Sequence, residues 1–444
     1  MPMRILNRAV NCLLLLSVLM IPACAALLSL SPLAAAGLYI LAAAAFLLIN
    51  LFPLWIKKPF CRLAVMRGGY ELVMDAAILC LPAALLLIFV LPGRLAMPRF
   101  IVQIVLAVAL EGLLLLNGAA RMLFTSVQLG IKWRVLFFLL WWVPVVNLIL
   151  FVRMGLLVRN EYRFETDRLR LDGGRASSGL CKTKYPILLV HGVFFRDSNF
   201  FNYWGRVPGV LAKNGATLFY GNQQSAASVE DSGTELRDRI EQIIRETGCG
   251  KVNIIAHSKG GLDARYAVSR LGMDRYVASL TTINTPHRGC AYADYLLEKA
   301  PEKLRASLAG GYNAALRRLG DKNPDFLAAI RSLTAGGCAA LNAETPDKEG
   351  VWYQSVASRL NQATGGKFPL NMSYLLVRHF DGPNDGLVSV DSAVWGDKHT
   401  LITVSGKRGV SHGDVIDLNR ENIPGFDVRE FYVNLVSDLR QRGF

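Results

Sequence analysis

Five apolar runs, near Val10 to Leu30, Leu33 to Ile56, Leu72 to Leu91, Ile101 to Ala119 and Val135 to Val152, fill the first third of this 444-residue chain. Each approaches or exceeds the roughly 20 residues a helix needs to cross a bilayer core. Backbone in lipid must satisfy its own hydrogen bonds, so residues 1–156 are expected to form an all-α transmembrane region of four or five helices. Ser31 and Pro32 divide the first two runs as a tight hairpin, and Lys57, Lys58, Arg62 and Arg67 follow the second as a basic loop. Trp55, Trp133, Trp141 and Trp142 lie near run ends, where interfacial aromatics belong. The first run also reads as a signal peptide, with Ile21, Pro22, Ala23 and Cys24 as a lipoprotein-like cleavage site, but it continues past a signal's usual length. Pro144 and Asn147 leave open whether the fifth run crosses or re-enters.

The excess of 49 Lys+Arg over 34 Asp+Glu is concentrated here, with 17 against 7 through Ser178. Cations between apolar runs orient a protein in a membrane, so no nucleic-acid partner is expected. They divide almost evenly between the two faces, leaving the side of the remaining chain undetermined. Asp75 and Glu111 fall inside the runs; each reads as part of an ion pathway or as a hydrogen-bonded packing residue, and no second acid, His or Lys accompanies Glu111 at helical spacing.

Residues 157–184 turn charged and then small, through Asp172, Gly173, Gly174, Arg175, Ala176, Ser177, Ser178 and Gly179, and read as a linker. The 260 residues from Tyr185 to Phe444 suffice for one large α/β domain. Apolar strands are expected at Ile187 to Val190, Thr217 to Tyr220, Val252 to Ala256, Leu280 to Ile283, Leu375 to Val377 and Leu401 to Val404. Ser232 to Thr247 carries Leu236, Ile240, Ile243 and Ile244 on one stripe of an amphipathic helix. Continuous apolar strands alternating with helices predict a mostly parallel sheet covered on both faces.

Within that domain, Val252 to Ala256 runs into His257, Ser258, Lys259, Gly260 and Gly261 and then a helical stretch. A serine on so sharp a turn holds its Oγ exposed above the sheet and demands small neighbours, here Ala256 and Gly260. An oxyanion needs two donors: the Lys259 N–H at the helix start, and the Val193 N–H in the loop His191, Gly192, Val193, Phe194. His191 reads as a loop buttress. Of the four histidines after Ser258, His287 reads as structural, and His379 and His399 as strand-end residues. His412, on the loop after the last strand, is the candidate general base. Asp385 is the preferred carboxylate partner, with Asp381, Asp391 and Asp397 as rivals.

The ordered set Leu189-Val190-His191-Gly192, Ala256 to Leu262, Asn284-Thr285-Pro286-His287-Arg288-Gly289 and Asn384 to Val388 resembles the bacterial triacylglycerol lipases of the α/β-hydrolase fold. The resemblance implies a carboxylic ester hydrolase acting on lipid esters through an acyl-enzyme, with Ser258, Asp385 and His412 as triad and Val193 and Lys259 as oxyanion hole. Such chemistry requires no cofactor. The resemblance also implies a calcium site near the catalytic histidine; Asp414 matches one ligand by its offset, but Leu418 stands where a further side-chain ligand belongs. No cysteine pair matches the family disulfide. Residues 290–360, with patterns at Ala293 to Leu308 and Asp325 to Leu333 broken by Gly310, Gly311, Gly336 and Gly337, read as a hinged lid or a fixed cap over the site. Phe194, Phe195, Phe200, Phe201 and Trp204 read as acyl-pocket lining or as core. The whole is then expected to be an integral membrane serine hydrolase, in a bacterial inner membrane, in contact with membrane lipids. A lipid acyltransferase or phospholipase with the same triad, and a non-catalytic lipid-binding membrane protein, remain alternatives.

Overall fold

The computed structural model describes residues 2–51, 62–143, 145–175, 177–193, 203–318 and 320–444. Two compact units divide the chain, Met1–Leu171 and Asp172–Phe444.

Every regular element described in the first unit is a helix. Three of its helical stretches, Pro32–Leu51, Arg62–Val90 and Met97–Thr125, are long and apolar enough to cross a membrane, and a shorter apolar stretch, Ala9–Ala25, lies within the helix Pro2–Leu27. The fifth apolar run is not one helix: Gly130–Leu140 ends before Val146–Arg175 begins, and Val145 between them has φ of 67°. Three long apolar helices and the shorter stretch thus stand, among the described residues, where four or five helices are expected. Apolar side chains that met lipid would have no reason to hide from the outside, and Leu33, Ile40, Leu41 and Phe89 face outward while Leu15, Leu19, Phe46, Leu79 and Leu114 are buried between helices. Close helix approach in such a setting relies on small residues. A Cβ on Gly69 would lie 2.8 Å from Gly118 O, and one on Gly118 would lie 2.8 Å from Gly69 O, so Arg62–Leu85 and Met97–Thr125 meet backbone to backbone. Asp75 is buried in an amide network: Asn11 donates to its Oδ2 at 3.1 Å, and Asn50 donates to Asn11 Oδ1 at 2.9 Å. This is the packing arrangement of the two read from the sequence. The stretch 157–175, expected within a linker, is helical.

The second unit is built on a six-stranded sheet in the order β2-β1-β3-β4-β5-β6, every neighbouring pair parallel. The strands are β1 (Ile187–Val190), β2 (Leu218–Tyr220), β3 (Val252–His257), β4 (Val277–Ile283), β5 (Trp352–Ser358) and β6 (Lys398–Ile402). Side chains alternate across a strand, and the core divides accordingly. Ile187, Leu189 and Ile255 pack on one face with Trp204, Tyr432, Val433 and Val436. Leu188, Val190, Ile254 and Ala256 pack on the other with Leu236, Ile240, Ile243, Ala267 and Val268. The helix Val229–Thr247 supplies the stripe expected of it, opened by the Ser228 cap on Asp231 N and closed at Gly248, whose φ is 65°. With helices on both faces and this strand order, the unit is an α/β-hydrolase fold.

Two strand assignments change. Leu375 to Val377 lies inside the helix Leu370–Asp381, whose Tyr374 and Val377 face inward one turn apart while Met372 and Leu375 face out. Strand β5 falls in the stretch read as cap. Between β4 and β5 stand four helices, Ala291–Lys299, Glu302–Arg318, Phe326–Arg331 and Ala335–Glu344. Gly310 and Gly311 lie within the second and Gly336 and Gly337 within the fourth, so these glycines do not break the helices.

Candidate active site

Strand β3 delivers its last residue, His257, to the rim of the sheet, and the helix Lys259–Arg270 begins two residues later. Ser258 makes the turn alone, with φ 56° and ψ −132°, a conformation that L-residues adopt only when their surroundings impose it. The imposing contacts are backbone. Ser258 N–H donates to Ile283 O at 2.9 Å, and Thr285 Oγ1 donates to Ser258 O at 2.8 Å. A Cβ on Gly260 would lie 2.3 Å from His191 O, so the position two residues beyond the serine admits only glycine. Ala256 on the other side is buried and small enough.

The loop after β1 presses against this turn. A Cβ on Gly192 would lie 2.8 Å from Ser258 Cβ and 2.9 Å from Tyr203 Oη, which places the peptide of Val193 beside the serine. Gly192 N–H donates to Tyr203 Oη at 3.0 Å, and the same hydroxyl bonds His257 Nδ1 at 2.6 Å. Tyr203 thereby ties the loop to the strand that carries the serine. His191 is the buttress expected of it, with Nδ1 2.9 Å from Gly192 O and Nε2 3.0 Å from Gln223 O, while Gln223 Nε2 donates to His191 O at 2.9 Å. Trp204 is core, edge-on to Tyr203, His257 and Tyr432. Phe194, Phe195, Phe200 and Phe201 lie outside the described residues.

Asp385 and His412 meet from two loops. His412 Nδ1 bonds Asp385 Oδ2 at 2.7 Å, and His412 N–H donates to Asp385 O at 2.9 Å. The other carboxylate oxygen accepts from Leu387 N–H and Val388 N–H, both at 2.8 Å. The Asp385 side chain is 1 % exposed and that of His412 9 %. The rival carboxylates are engaged elsewhere: Asp381 accepts from Ala291 N–H at the start of the first cap helix, Asp397 accepts from Tyr353 N–H, and Asp391 opens a turn at Asp391–Ala393. The imidazole of His412 lies 4.4 Å, ring to ring, from that of His257, the residue preceding the serine. Burial, and then the neighbouring His412 charge, hold His257 well below its ordinary pKa, so it stays neutral beside the pair.

Lys259 contributes backbone rather than charge at the serine. Its Nζ bonds Asp263 Oδ1 at 2.6 Å and Ser232 Oγ at 3.0 Å, locking the elbow helix to Val229–Thr247 and leaving its N–H at the helix start. Burial raises the Asp263 carboxyl to about 6 despite the facing ammonium. His287 is structural: buried, stacked on Trp395 at 5.2 Å, with Nε2 2.9 Å from Thr282 Oγ1. His399 lies in β6 against Ser355, whereas His379 lies in the helix Leu370–Asp381, away from any strand end. Cys290 and Cys338 are buried free thiols.

Asp414 does not present a free ligand set. Arg408 grips its carboxylate with both Nη atoms, at 3.1 and 3.2 Å, and Ser411 N–H donates to Oδ2 at 2.9 Å. Among the described residues no group of three His, Cys, Asp or Glu side chains gathers at metal-ligand spacing. A guanidinium on the proposed ligand does not fit a cation at that position.

A strained serine on a strand–helix elbow, a loop peptide pressed against it, and a carboxylate–imidazole pair at the same sheet rim define the serine-hydrolase class of α/β-hydrolase folds. Residues 218–309 match the family described as "Putative serine esterase (DUF676)". The chain is 31 % identical over 241 residues to a triacylglycerol lipase of Vibrio cholerae, covering 49 % of this chain and 76 % of that one. It is 33 % identical over 183 residues to a triacylglycerol lipase of Burkholderia plantarii, covering 38 % of this chain and 51 % of that one. The lipase of Staphylococcus hyicus superposes with a TM-score of 0.48 at 18 % identity, over 59 % of this chain and 97 % of that one. The chain belongs to the triacylglycerol lipase family. It spans about half the length of the Burkholderia plantarii and Pseudarthrobacter phenanthrenivorans relatives.

Sequence reasoning missed Tyr203 and Arg408. Tyr203 carried no motif; its one signal was its place directly before Trp204 in the aromatic stretch after the oxyanion loop. Arg408 had a signal, a cation four residues before His412 in the loop whose Leu418 leaves the metal ligand set wanting.

Proposed function

We propose that this protein is a membrane-anchored serine hydrolase that cleaves the carboxylic esters of lipids, held in a bacterial inner membrane by its apolar helices. What supports this reading is the strained turn of Ser258 directly after His257, whose ring lies 4.4 Å from that of His412 in the His412–Asp385 pair. Asp385 accepts from His412 Nδ1–H, which leaves Nε2 bare to take the Ser258 proton as Oγ attacks the acyl carbonyl. The oxyanion then accepts from the N–H groups of Val193 and Lys259, each worth about 3 kcal/mol to the transition state. His412 returns the proton to the departing alcohol, a water attacks the acyl-enzyme with its proton passing to Nε2, and that proton goes to Ser258 Oγ as the Oγ–carbon bond breaks and the fatty acid leaves. An acyltransferase or phospholipase would share the acyl-enzyme and differ in the alcohol that enters or leaves.

The test uses the full chain in detergent with a fluorophosphonate probe and a series of fatty-acyl esters of increasing length. Labelling and turnover are expected, and both are lost in Ser258→Ala. A folded protein that neither labels nor turns over any ester is instead a lipid-binding module, and the hydrolase reading fails.

A further inference from the structure

The histidine loop contains its own cation. Arg408 Nη1 lies 3.1 Å from Asp414 Oδ2 and Nη2 lies 3.2 Å from Oδ1, the paired contact of a guanidinium fork on a carboxylate. Nη2 also bonds Glu421 Oε2 at 2.9 Å, Nη1 donates to Gly365 O, and Lys367 Nζ reaches the same Glu421 oxygen at 2.8 Å. The Asp414 side chain is 2 % exposed. Two cations and two anions therefore balance around Arg408. A calcium ion, which takes six to eight oxygens, would add two charges to a neutral cluster and would have to displace the guanidinium from the oxygens of Asp414.

The cluster acts on His412 through two short links. Asp414 Oδ2 accepts the N–H of Ser411, the residue before His412, and Asp414 N–H donates back to Ser411 O at 3.0 Å. Upstream, Val410 N–H donates to Arg359 O at 2.8 Å, and Gly409 bridges Leu360. The backbone of His412 is fixed on one side by this turn and on the other by Asp385 O. We propose that Arg408 is a positioning residue that occupies the place of a metal at Asp414, so that the catalytic-histidine loop is held by a guanidinium and the enzyme works without calcium. The proposal rests on the hydrolase reading above.

The full chain, Arg408→Ala and Arg408→Lys are compared for kcat and KM on one ester, with EDTA, with calcium chloride and with methylguanidinium. EDTA and calcium are expected to leave the wild-type rate unchanged. Arg408→Ala is expected to lose kcat about tenfold to hundredfold with KM nearly constant, the range seen when a supporting shell is removed. Methylguanidinium should restore part of that loss, and Arg408→Lys should retain more activity than Arg408→Ala. Wild-type kcat in Arg408→Ala, or wild-type activity abolished by EDTA and returned by calcium, overturns the proposal. Amide hydrogen exchange over residues 408–414 reads the loop without turnover: faster exchange in Arg408→Ala is expected, and unchanged exchange counts against it. A wild-type chain that turns over no ester while this exchange difference persists strikes the hydrolase reading and not the clamp.

Discussion

The two halves of the site are held by different means. Around Ser258 the constraint is local and steric: a positive φ, a glycine two residues on that leaves no room for a Cβ, and a second glycine pressed against the serine. Around His412 it is distant and electrostatic: Asp385 lies 27 residues away, and the loop is tied by Arg408, Asp414 and Glu421. Packed backbone tolerates almost no change of volume, whereas charged ties weaken by degrees. The serine half should therefore fail all at once, and the histidine half in steps.

Ser258→Ala removes the nucleophile and should lower kcat by more than about 10⁴, leaving the oxyanion hole and binding as residual catalysis. Its melting temperature should stay within a few degrees of wild type, which calorimetry checks. Asp385→Asn should come next. Leu387 N–H and Val388 N–H hold the amide oxygen at the Oδ1 place, so the amide NH2 faces Nδ1 and donates to it, the tautomer with a bare Nε2 is lost, and kcat falls by about 10³ to 10⁴. A loss under tenfold would mean that another acid orients His412 and would dissolve the contrast between the halves.

Gly260→Ala probes the steric half without touching a reacting group. The new Cβ would lie 2.3 Å from His191 O, so the oxyanion loop or the elbow must shift, and unfolding stability should fall by about 1–3 kcal/mol with a large drop in kcat. Tyr203→Phe probes the seam between the strand and the loop. It orphans the N–H of Gly192 and the Nδ1 of His257, at a cost of about 1–3 kcal/mol in denaturant unfolding. If kcat falls while labelling of Ser258 persists, the loop peptide has moved rather than the nucleophile.

This contrast also explains what could be read from the sequence. Ala256 to Leu262 announces its own geometry because the elbow is made by adjacent residues, and β1 announces its own as the unbroken apolar run Ile187 to Val190, while Ile254 to Ala256 marks the end of β3 that leads into the elbow. Asp385 and His412 could be placed on loops, but their pairing depends on where β5, β6 and the helix Leu370–Asp381 set those loops. That helix was unreadable for a physical reason: Leu375, Leu376 and Val377 are a strand-like triplet, and only tertiary packing of Tyr374 and Val377 makes them helical. Strand β5, Trp352–Ser358, mixes Gln354 and Ser355 among its apolar residues; both are buried because Gln354 Nε2 donates to Thr281 Oγ1 and Ser355 Oγ bonds Trp395 O. Hydrogen bonds that excuse buried polarity leave no periodic trace. The fifth apolar run shows the converse, since apolar composition alone cannot reveal the break before Val146.

The smallest effect should appear in acid and should belong to the serine half. His257 and His287 are buried, and burial holds both pKa values well below the ordinary 6.5, followed by His412 for the first and Arg265 for the second. The unfolded chain binds these two protons below about pH 6.5 and the folded chain does not, so their contribution to stability is complete above that pH and is lost as pH falls through it. Each imidazole should cost about 0.7 kcal/mol per pH unit at pH 6.5, rising toward about 1.4 below pH 5.5. His257→Asn removes one of the two sites, so the difference in unfolding free energy between pH 6.5 and 5.5, where the unfolded imidazole goes from half to nearly full protonation, should shrink by about 1 kcal/mol. An unchanged slope would mean that His257 is protonated in the folded chain. A cation would then stand 4.4 Å, ring to ring, from the His412 imidazole, and the proton acceptor assigned to Ser258 would be weakened by its own neighbour.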